Sequence, residues 1–306
     1  MKKFIKNRVL PLVLSAILLF LFYRFAGLER YISNDNKAKE TTNTKLKGIE
    51  INFLDVGQGD CSLISLENGI DLLIDGGDVK TQMKVVNFLQ DNTDGVIDFV
   101  VATHPHADHI GGLDDVLNKF EVGEIIMPKI HSGDIPTTKV YENLMVAIKQ
   151  NGCDVKRAVP NLTIYKDDDC TIQCLGPKSD NYTSLNNYSA IIKVTYGEFS
   201  AIFTGDAEID AEDELLLQGF DLSADVLKVG HHGSKTATSN RFLDKVNPNY
   251  SVISVGYVND YGHPHTETIS RLGKKGCEIY RTDYNGNVTI TSDKKAISVI
   301  TEKSDY

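Results

Sequence analysis

The hydrophobic positions of this chain change period along its length, and the periods predict where strands and helices lie. Short, largely apolar segments, which are typical of strands, occur in the first half at 49–56, 61–66, 71–74, 97–102 and 124–127, and a further strand is predicted at 155–158. Segments whose apolar residues recur at helical spacing lie between these runs, at 79–89, 113–120 and 140–150. The first half therefore begins with strands and continues as alternating strands and helices.

The second half repeats this order. Strands are predicted near residues 162 and 171, at 190–196, 200–203, 225–229 and 250–255, and near residues 279, 288 and 297. Helices are predicted at 208–218, 240–246 and 267–274. Two such halves predict two sheets packed face to face with helices outside, an α/β (α+β) fold of the αββα sandwich type.

Residues 1–27 follow a different pattern, which predicts a membrane anchor. A basic cluster at residues 2–8 precedes the segment 9–23, which is apolar apart from Ser15. A segment of this kind spans a bilayer as one transmembrane helix, and the basic residues before it predict a cytoplasmic N-terminus and an exported remainder. The alternative is a cleaved signal peptide with Phe25-Ala26-Gly27 as its cleavage site. The polar segment 28–47 lacks periodicity and predicts a flexible linker to a domain at 48–306.

Composition adds two constraints on that domain. The chain carries 32 Lys and Arg against 42 Asp and Glu; residues 1–47 hold ten and three of these, so the domain keeps 22 against 39 and a formal charge of −17. This balance excludes a tight nucleic-acid binder that relies on a basic surface. The five cysteines are odd in number, have no CxxC spacing and lie in or beside apolar runs, which predicts buried free thiols.

Metal-binding residue types are concentrated in the segment 103–109, Thr-His-Pro-His-Ala-Asp-His, directly after the predicted strand 97–102. Residues two apart in an extended segment point to the same side, so His104 and His106 can bind one cation. Asp108 and His109 follow where the chain bends and can face a second cation. Imidazole and carboxylate together favour zinc and also accept manganese or iron. The segment predicts a metal site; a polar loop with satisfied histidines is the alternative.

This His-x-His-x-Asp-His motif resembles the signature of the metallo-β-lactamase superfamily. The segments 54–60 (LDVGQGD) and 230–234 (GHHGS) look like those of its ComEC-type branch, the soluble domain of bacterial DNA-uptake channels. The resemblance runs from about Ile49 to Thr301. It implies the αββα fold of that superfamily and a hydrolase that uses two divalent metal ions.

Further ligands are expected after later strands. Asp206 follows the strand 200–203; the family's aspartate at this motif bridges two cations, although a helix cap is the alternative reading. His231 is the expected ligand of the second cation, because it comes straight after its strand. His263 competes with His231 for that cation and is otherwise a proton donor or phosphate contact.

Catalytic roles are expected for four residues near the cations. Asp108 is placed to bind the second cation and to orient a hydroxide. His232, His263 and His265 supply donors for a leaving oxygen or a phosphate oxygen, and His232 is alternatively the group that orients His231.

Residues behind the ligands are expected to fix their loops. Asp75 matches the superfamily's first motif, which implies an aspartate that holds a ligand loop without touching metal. Asp55 and Asp60 could do the same from the neighbouring turn, or serve ordinary turn chemistry. Where most of the superfamily has a further histidine for the first metal, this chain has Asn186-Asn187. Asn187 is therefore expected beside a first metal that is held more weakly.

These residues together predict a membrane-anchored dinuclear hydrolase with its domain outside the cell. Two cations that share Asp206 and a hydroxide suit phosphodiester hydrolysis, so the expected activity is that of a phosphodiesterase or nuclease making transient contact with DNA. Phosphodiesters of the cell envelope or a β-lactam are alternative substrates. A non-catalytic metal-binding scaffold is the alternative to an enzyme.

Overall fold

The computed structural model describes residues 47–303, and strands make up most of its interior. The strands are β1 Ile49–Phe53, β2 Ser62–Leu66, β3 Asp71–Ile74, β4 Val96–Val101, β5 Glu121–Met127, β6 Asp154–Arg157, β7 Leu162–Lys166, β8 Cys170–Gly176, β9 Ile191–Tyr196, β10 Phe199–Phe203, β11 Val226–Lys228, β12 Tyr250–Ile253, β13 Glu278–Arg281, β14 Val288–Ser292 and β15 Ile297–Thr301. The helices are α1 Gln82–Asn92, α2 Ala107–Ile110, α3 Leu113–Lys119, α4 Lys139–Asn151, α5 Ile209–Leu217, α6 Asn240–Val246, α7 Thr266–Lys275 and α8 Thr282–Asn285. Single 3₁₀ turns lie at Val79–Thr81, Leu185–Tyr188 and Gly230–Gly233.

The strands form two sheets that pack against each other. One sheet has the order β15-β14-β1-β2-β3-β4-β5-β6 and the other β13-β12-β11-β10-β9-β8-β7. Apolar side chains of both sheets meet between them, where the rings of Phe53 and Phe203 stack at 5.7 Å. Two further apolar clusters bury α1, α3 and α4 on the outer face of the first sheet and α5, α6 and α7 on that of the second. The predicted αββα sandwich is confirmed.

Helix α4 illustrates how the sequence forms an outer helix. Thr138 caps its start by accepting a hydrogen bond from the Tyr141 amide, and Gly152 ends it in the left-handed conformation at φ 80°. Its buried residues Leu144, Ala147 and Ile148 are three and four positions apart, so they share one face. That face packs on the first sheet.

The strand directions bring several loops to one edge of the sandwich. β3 runs parallel to β4, and β1 has the same direction because β2 is antiparallel to both β1 and β3. In the second sheet β10, β11 and β12 are parallel. The segments that follow these strands contain the predicted metal-binding residues, so ligands far apart in sequence meet at one place.

The elements that the sequence did not predict are mostly single turns. α2, α8 and the turns at Leu185–Tyr188 and Gly230–Gly233 are too short to show a hydrophobic period. Within residues 47–303 no helix is long and apolar enough to cross a membrane. The predicted anchor, and all but the last residue of the predicted linker, lie outside the described residues. All five cysteines are free thiols, and all except the half-buried Cys153 are buried.

Candidate metal centre

Two histidines and an aspartate form the first group of potential ligands. His104 Nε2 lies 3.0 Å from His106 Nδ1 and 3.8 Å from Asp206 Oδ2. The Thr103 hydroxyl donates to Asp75 and therefore accepts from His104 Nδ1, which leaves His104 Nε2 with its lone pair. Burial, reinforced by the charge of His109, holds the pKa of His104 well below its usual range. The ring is therefore in the neutral form that binds metals.

A second group lies on the other side of Asp206. His109 Nε2 is 3.2 Å from Asp206 Oδ1, and His232 Nε2 is 3.6 Å from Asp206 Oδ2. Asp108 completes this group, with its Oδ2 3.3 Å from His232 Nε2. Asp206 thus lies between the two groups, the position that a bridging ligand requires.

Buried acceptors hold both histidines of the second group from behind. His109 Nδ1 donates to Asp75 Oδ2 at 2.7 Å, and His232 Nδ1 donates to the Ser254 carbonyl at 2.9 Å. Each bond leaves Nε2 facing Asp206. Ligand atoms of Asp60, His109, Asp206 and His232 lie within 4.8 Å of one another, but Asp60 approaches His232 at Nδ1, 3.3 Å away. Asp60 therefore orients His232, and Asp108 faces the metal-binding side.

Asp60 is itself neutralised by a buried lysine. Lys228 Nζ lies 2.6 Å from Asp60 Oδ2, and both side chains are almost completely buried. Burial alone would raise the pKa of Asp60, but Lys228 and His232 outweigh it and lower the pKa to about 2. Asp60 therefore stays ionised. It also stays paired with Lys228, because removing one partner of a buried ion pair is costly.

The carboxylates change the pKa values of the second-group histidines. Burial would lower the pKa of His232, but Asp206 and Asp60 outweigh it and raise the pKa to about 10. The pKa of His109 is raised well above its ordinary value for the same reason, because the charges of Asp206 and Asp75 outweigh the effect of burial. The cluster therefore demands positive charge at its centre, which a divalent cation supplies.

Unpaired buried atoms show that the residues fit a metal. His109 Nε2, His232 Nε2 and Asp206 Oδ1 are buried and form no hydrogen bond, although such atoms are nearly always paired in folded proteins. They converge on the same space, as do the facing nitrogens of His104 and His106. Imidazole and carboxylate in this arrangement suit zinc and related cations.

The segment 230–233 places the two adjacent histidines differently from the prediction. His231 and His232 both adopt left-handed backbone conformations, with φ 49° and 52°. This turn directs His232 into the buried cluster and leaves His231 at the cleft mouth, 21% exposed, with Nδ1 3.5 Å from Glu208 Oε1. His232 therefore lies in the buried group of potential ligands where His231 was expected, because position directly after a strand does not determine which of two adjacent left-handed residues points inward.

Three further expected site residues lie outside the centre. Asp55 accepts from the Gly57 amide within its own turn, and its carboxylate faces lysines on the surface. His265 Nδ1 accepts from the Lys235 amide and so fastens two loops together. Asn187 accepts from the Glu208 amide at the start of α5, so it positions the segment after Asp206. The adjacent Asn186 is the asparagine that faces the site.

The metal-binding groups open into a cleft of about 550 Å³. It is lined by Gln58, His106, Ala107, Asp108, Asn186, Asp206, His231, His232, Tyr261 and His263. His263 has a buried Nδ1 without a hydrogen-bond partner. Burial and the neighbouring His231 and His232 lower its pKa to about 4, so His263 is uncharged at neutral pH.

Sequence reasoning missed Lys228, Asn186, Gln58 and Tyr261. Lys228 carried a usable signal, because a lone charged residue within the apolar run 226–229 is either exposed or paired. Gln58 and Tyr261 stand in loops, where no periodicity indicates which side chain points inward. Their roles depend on which loops the topology brings together.

Comparisons with known proteins agree with this geometry. The family model described as the metallo-beta-lactamase superfamily matches residues 54–257. ComE operon protein 3 of Bacillus subtilis (strain 168) is 29% identical over 256 residues, covering 78% of this chain and 32% of the relative. Competence protein ComA of Neisseria gonorrhoeae is 31% identical over 236 residues, covering 76% of this chain and 30% of the relative. The chain thus spans about a third of the length of these curated relatives. The resemblance to ComEC-type proteins is confirmed.

Solved structures show the same fold. Igni18, a metallo hydrolase from the archaeon Ignicoccus hospitalis KIN4/I, matches with a TM-score of 0.50 at 15% identity, covering 78% of this chain and 98% of that structure.

Proposed function

This chain belongs to the metallo-beta-lactamase superfamily, and from that premise we propose that it is a dinuclear metal-dependent phosphodiesterase that cleaves DNA. The observation that carries the proposal is the position of Asp206 between two groups of ligands. His104, His106 and Asp206 would hold one cation; Asp108, His109, Asp206 and His232 would hold the other. When bound, a pair of cations lowers the pKa of water and neutralises phosphate oxygens.

The protein's own groups then position the substrate. Asp108 is 27% exposed at the boundary between the buried cluster and the open cleft, so it can accept a hydrogen bond from an attacking water. Asn186 and His231 lie 3.4 Å apart across the mouth, where both can donate to a phosphate oxygen. His263 is uncharged at neutral pH and contributes a neutral N–H or lone pair at the leaving side.

The substrate class follows from charge and from the relatives. A phosphodiester brings negative charge that bound cations would neutralise, whereas the acidic surface opposes long contact with a nucleic acid. One relative is named a competence protein, which favours DNA as the natural diester. Weak, transient binding with cleavage is the combination that these features support.

A substrate panel tests the proposal. Metal-loaded protein should hydrolyse bis(p-nitrophenyl) phosphate and cleave DNA, and should leave the β-lactam nitrocefin intact. Nitrocefin hydrolysis without phosphodiester cleavage would assign a lactamase. Bound metal without turnover of any of the three would assign a scaffold.

We also propose that residues 1–27 anchor the chain in the cell membrane with the domain outside. The apolar segment and the basic cluster before it support this orientation. A protease added to intact cells should remove the domain. Survival of the domain in intact cells, with degradation after lysis, would reverse the orientation.

A further inference from the structure

Beside the metal cleft lies a second basin of about 420 Å³, lined partly by Gly57, Lys80, Thr81 and Val258. The two basins share Gln58, Ala107, Asp108 and Tyr261. Tyr261 is 64% exposed and lines both basins. An exposed ring between two connected basins is placed to contact whatever extends from one basin into the other.

Tyr261 is held in position by its own loop. Its ring stacks on His263 at 5.6 Å with an interplanar angle of 22°, and the residue remains largely exposed. The Asn259 side chain accepts from the amides of Tyr261 and His263 and donates to the His263 carbonyl. A ring fixed before binding loses little entropy when it contacts a ligand.

Other exposed rings continue from this loop. Tyr257 is 76% exposed, and Tyr284 is 55% exposed, with ring centroids 6.3 Å apart. The guanidinium of Arg281 lies 4.0 Å from the centre of the Tyr284 ring and is paired with Asp283. Exposed aromatic rings offer flat faces on which unpaired nucleobases stack.

We propose that Tyr261 stacks on a nucleobase and makes the enzyme prefer a single-stranded nucleic acid that spans both basins. The inference rests on the proposed phosphodiesterase function and narrows its substrate. Tyr261 lines the same cleft as Asp206, so a phosphodiester at the metal centre would bring an adjoining base near this ring. The exposed Lys80, which lines the second basin together with Asp78, would offer a cation to a neighbouring phosphate. Base pairing in a duplex would hide the bases from this ring, and the acidic domain lacks the basic surface that a duplex requires. An envelope polymer of alternating alcohol and phosphate would leave the ring without a partner.

Two matched oligonucleotides distinguish recognition of the base from recognition of the sugar-phosphate backbone. A deoxythymidine strand of about 12 nucleotides is compared with an abasic strand of the same length. In wild type, kcat/KM should be about 5- to 150-fold higher for the strand with bases, as expected from about 1–3 kcal/mol of stacking. Tyr261→Ala should bring the ratio close to one, and Tyr261→Phe should preserve it. Leu217→Ala removes an exposed side chain that lines neither basin and should leave the ratio unchanged.

A second readout does not depend on turnover. The chain contains no tryptophan, so Tyr261→Trp introduces a single tryptophan at the proposed contact, and its emission can be excited separately from that of the tyrosines. A cleavage-resistant phosphorothioate strand should quench its emission, whereas the abasic strand should not.

The outcomes distinguish the two proposals. Cleavage of both strands by wild type at equal efficiency, or a ratio that survives Tyr261→Ala, overturns the stacking role while phosphodiesterase activity stands. Absence of any diester cleavage with quenching intact overturns the activity and retains the base contact. A blue shift of the Tyr261→Trp emission with anionic vesicles, and no response to the strand, reassigns this loop to a membrane surface.

Discussion

Each histidine of the buried cluster has one ring nitrogen committed to a protein partner, and this determines which nitrogen can bind a cation. His109 donates to Asp75 and His232 donates to Ser254 through Nδ1. His231 instead faces Glu208 at the cleft mouth. At the residue scale, His232 is therefore the residue placed to bind the proposed second cation.

This assignment predicts different metal contents for three alanine variants. His232→Ala should lose about one of two bound cations, because it removes a buried ligand next to Asp206. His231→Ala and His263→Ala should keep both, and His263→Ala should lose about a hundredfold in rate, as is typical for a missing proton-transfer group. Elemental analysis beside the phosphodiesterase rate checks all three. Loss of a cation in His231→Ala with retention in His232→Ala would show that the earlier expectation for His231 was right.

The placement of these histidines in the site could be predicted from sequence only in part. The spacing of His104 and His106 was sufficient to place them together, because an extended segment has one geometry. The sequence did not show which of His231 and His232 points into the cluster, since their left-handed backbone is set by packing and not by a local pattern. The role of Lys228 was also hidden from the sequence, because its partner Asp60 lies far away in the chain.

At the scale of elements, the loop after β1 supports the metal-binding segment. The Asp60 amide donates to the Asp108 carbonyl at 3.1 Å. Gly59, at φ 153°, passes so close that a Cβ would overlap that carbonyl oxygen, whereas a Cβ on Gly57 would meet nothing.

The two glycines make a matched pair. Gly57→Ala should cost about 1–2 kcal/mol of unfolding free energy from its left-handed backbone alone. Gly59→Ala should cost about 1–3 kcal/mol more, because backbone must move, and should weaken cation binding. Denaturant unfolding and metal titration measure both effects. Equal costs for the two variants would mean that this contact does not hold the ligand segment.

Asp71, at the start of β3, gives a pH dependence that is separate from the centre. Burial, with the nearby charge of Asp98, raises its pKa to about 6 although Ser65 donates to it. The folded state thus holds this proton more tightly than the unfolded state, and stability is lost as pH rises from about 4 to about 6. Between about pH 4 and about pH 6, the unfolding free energy of Asp71→Asn should rise by about 1–2 kcal/mol relative to that of wild type. The exposed Asp91→Asn is the control. A pH-independent difference between Asp71→Asn and wild type contradicts this assignment.

The strands and long helices could be predicted because burial imposes a period on them. The turn Gly230–Gly233 and the helix α2 could not, because one turn contains too few residues to show a period. These are the elements that aim His232 and Asp108. The least predictable segments therefore decide the details of the site.

At the scale of the whole molecule, the sandwich brings the ends of two sheets together around an acidic centre. Three buried carboxylates, Asp60, Asp75 and Asp206, and the partly exposed Asp108 surround two pairs of histidines there. One lysine, Lys228, neutralises Asp60. The remaining carboxylates favour positive charge at this centre, so metal binding should stabilise the fold as well as supply chemistry. The two-sheet arrangement was predictable from the repeated order of strands and helices, whereas the exposed ring of Tyr261 in the cleft was not.

The most direct test of the central claim is a metal titration of the purified full-length chain. Zinc or manganese is added to chelator-treated protein while bis(p-nitrophenyl) phosphate hydrolysis is followed. Activity should rise and break near two equivalents of metal per chain, because two groups of ligands share Asp206. A wild-type protein that binds no metal, or that binds two equivalents and hydrolyses no phosphodiester, would contradict the account.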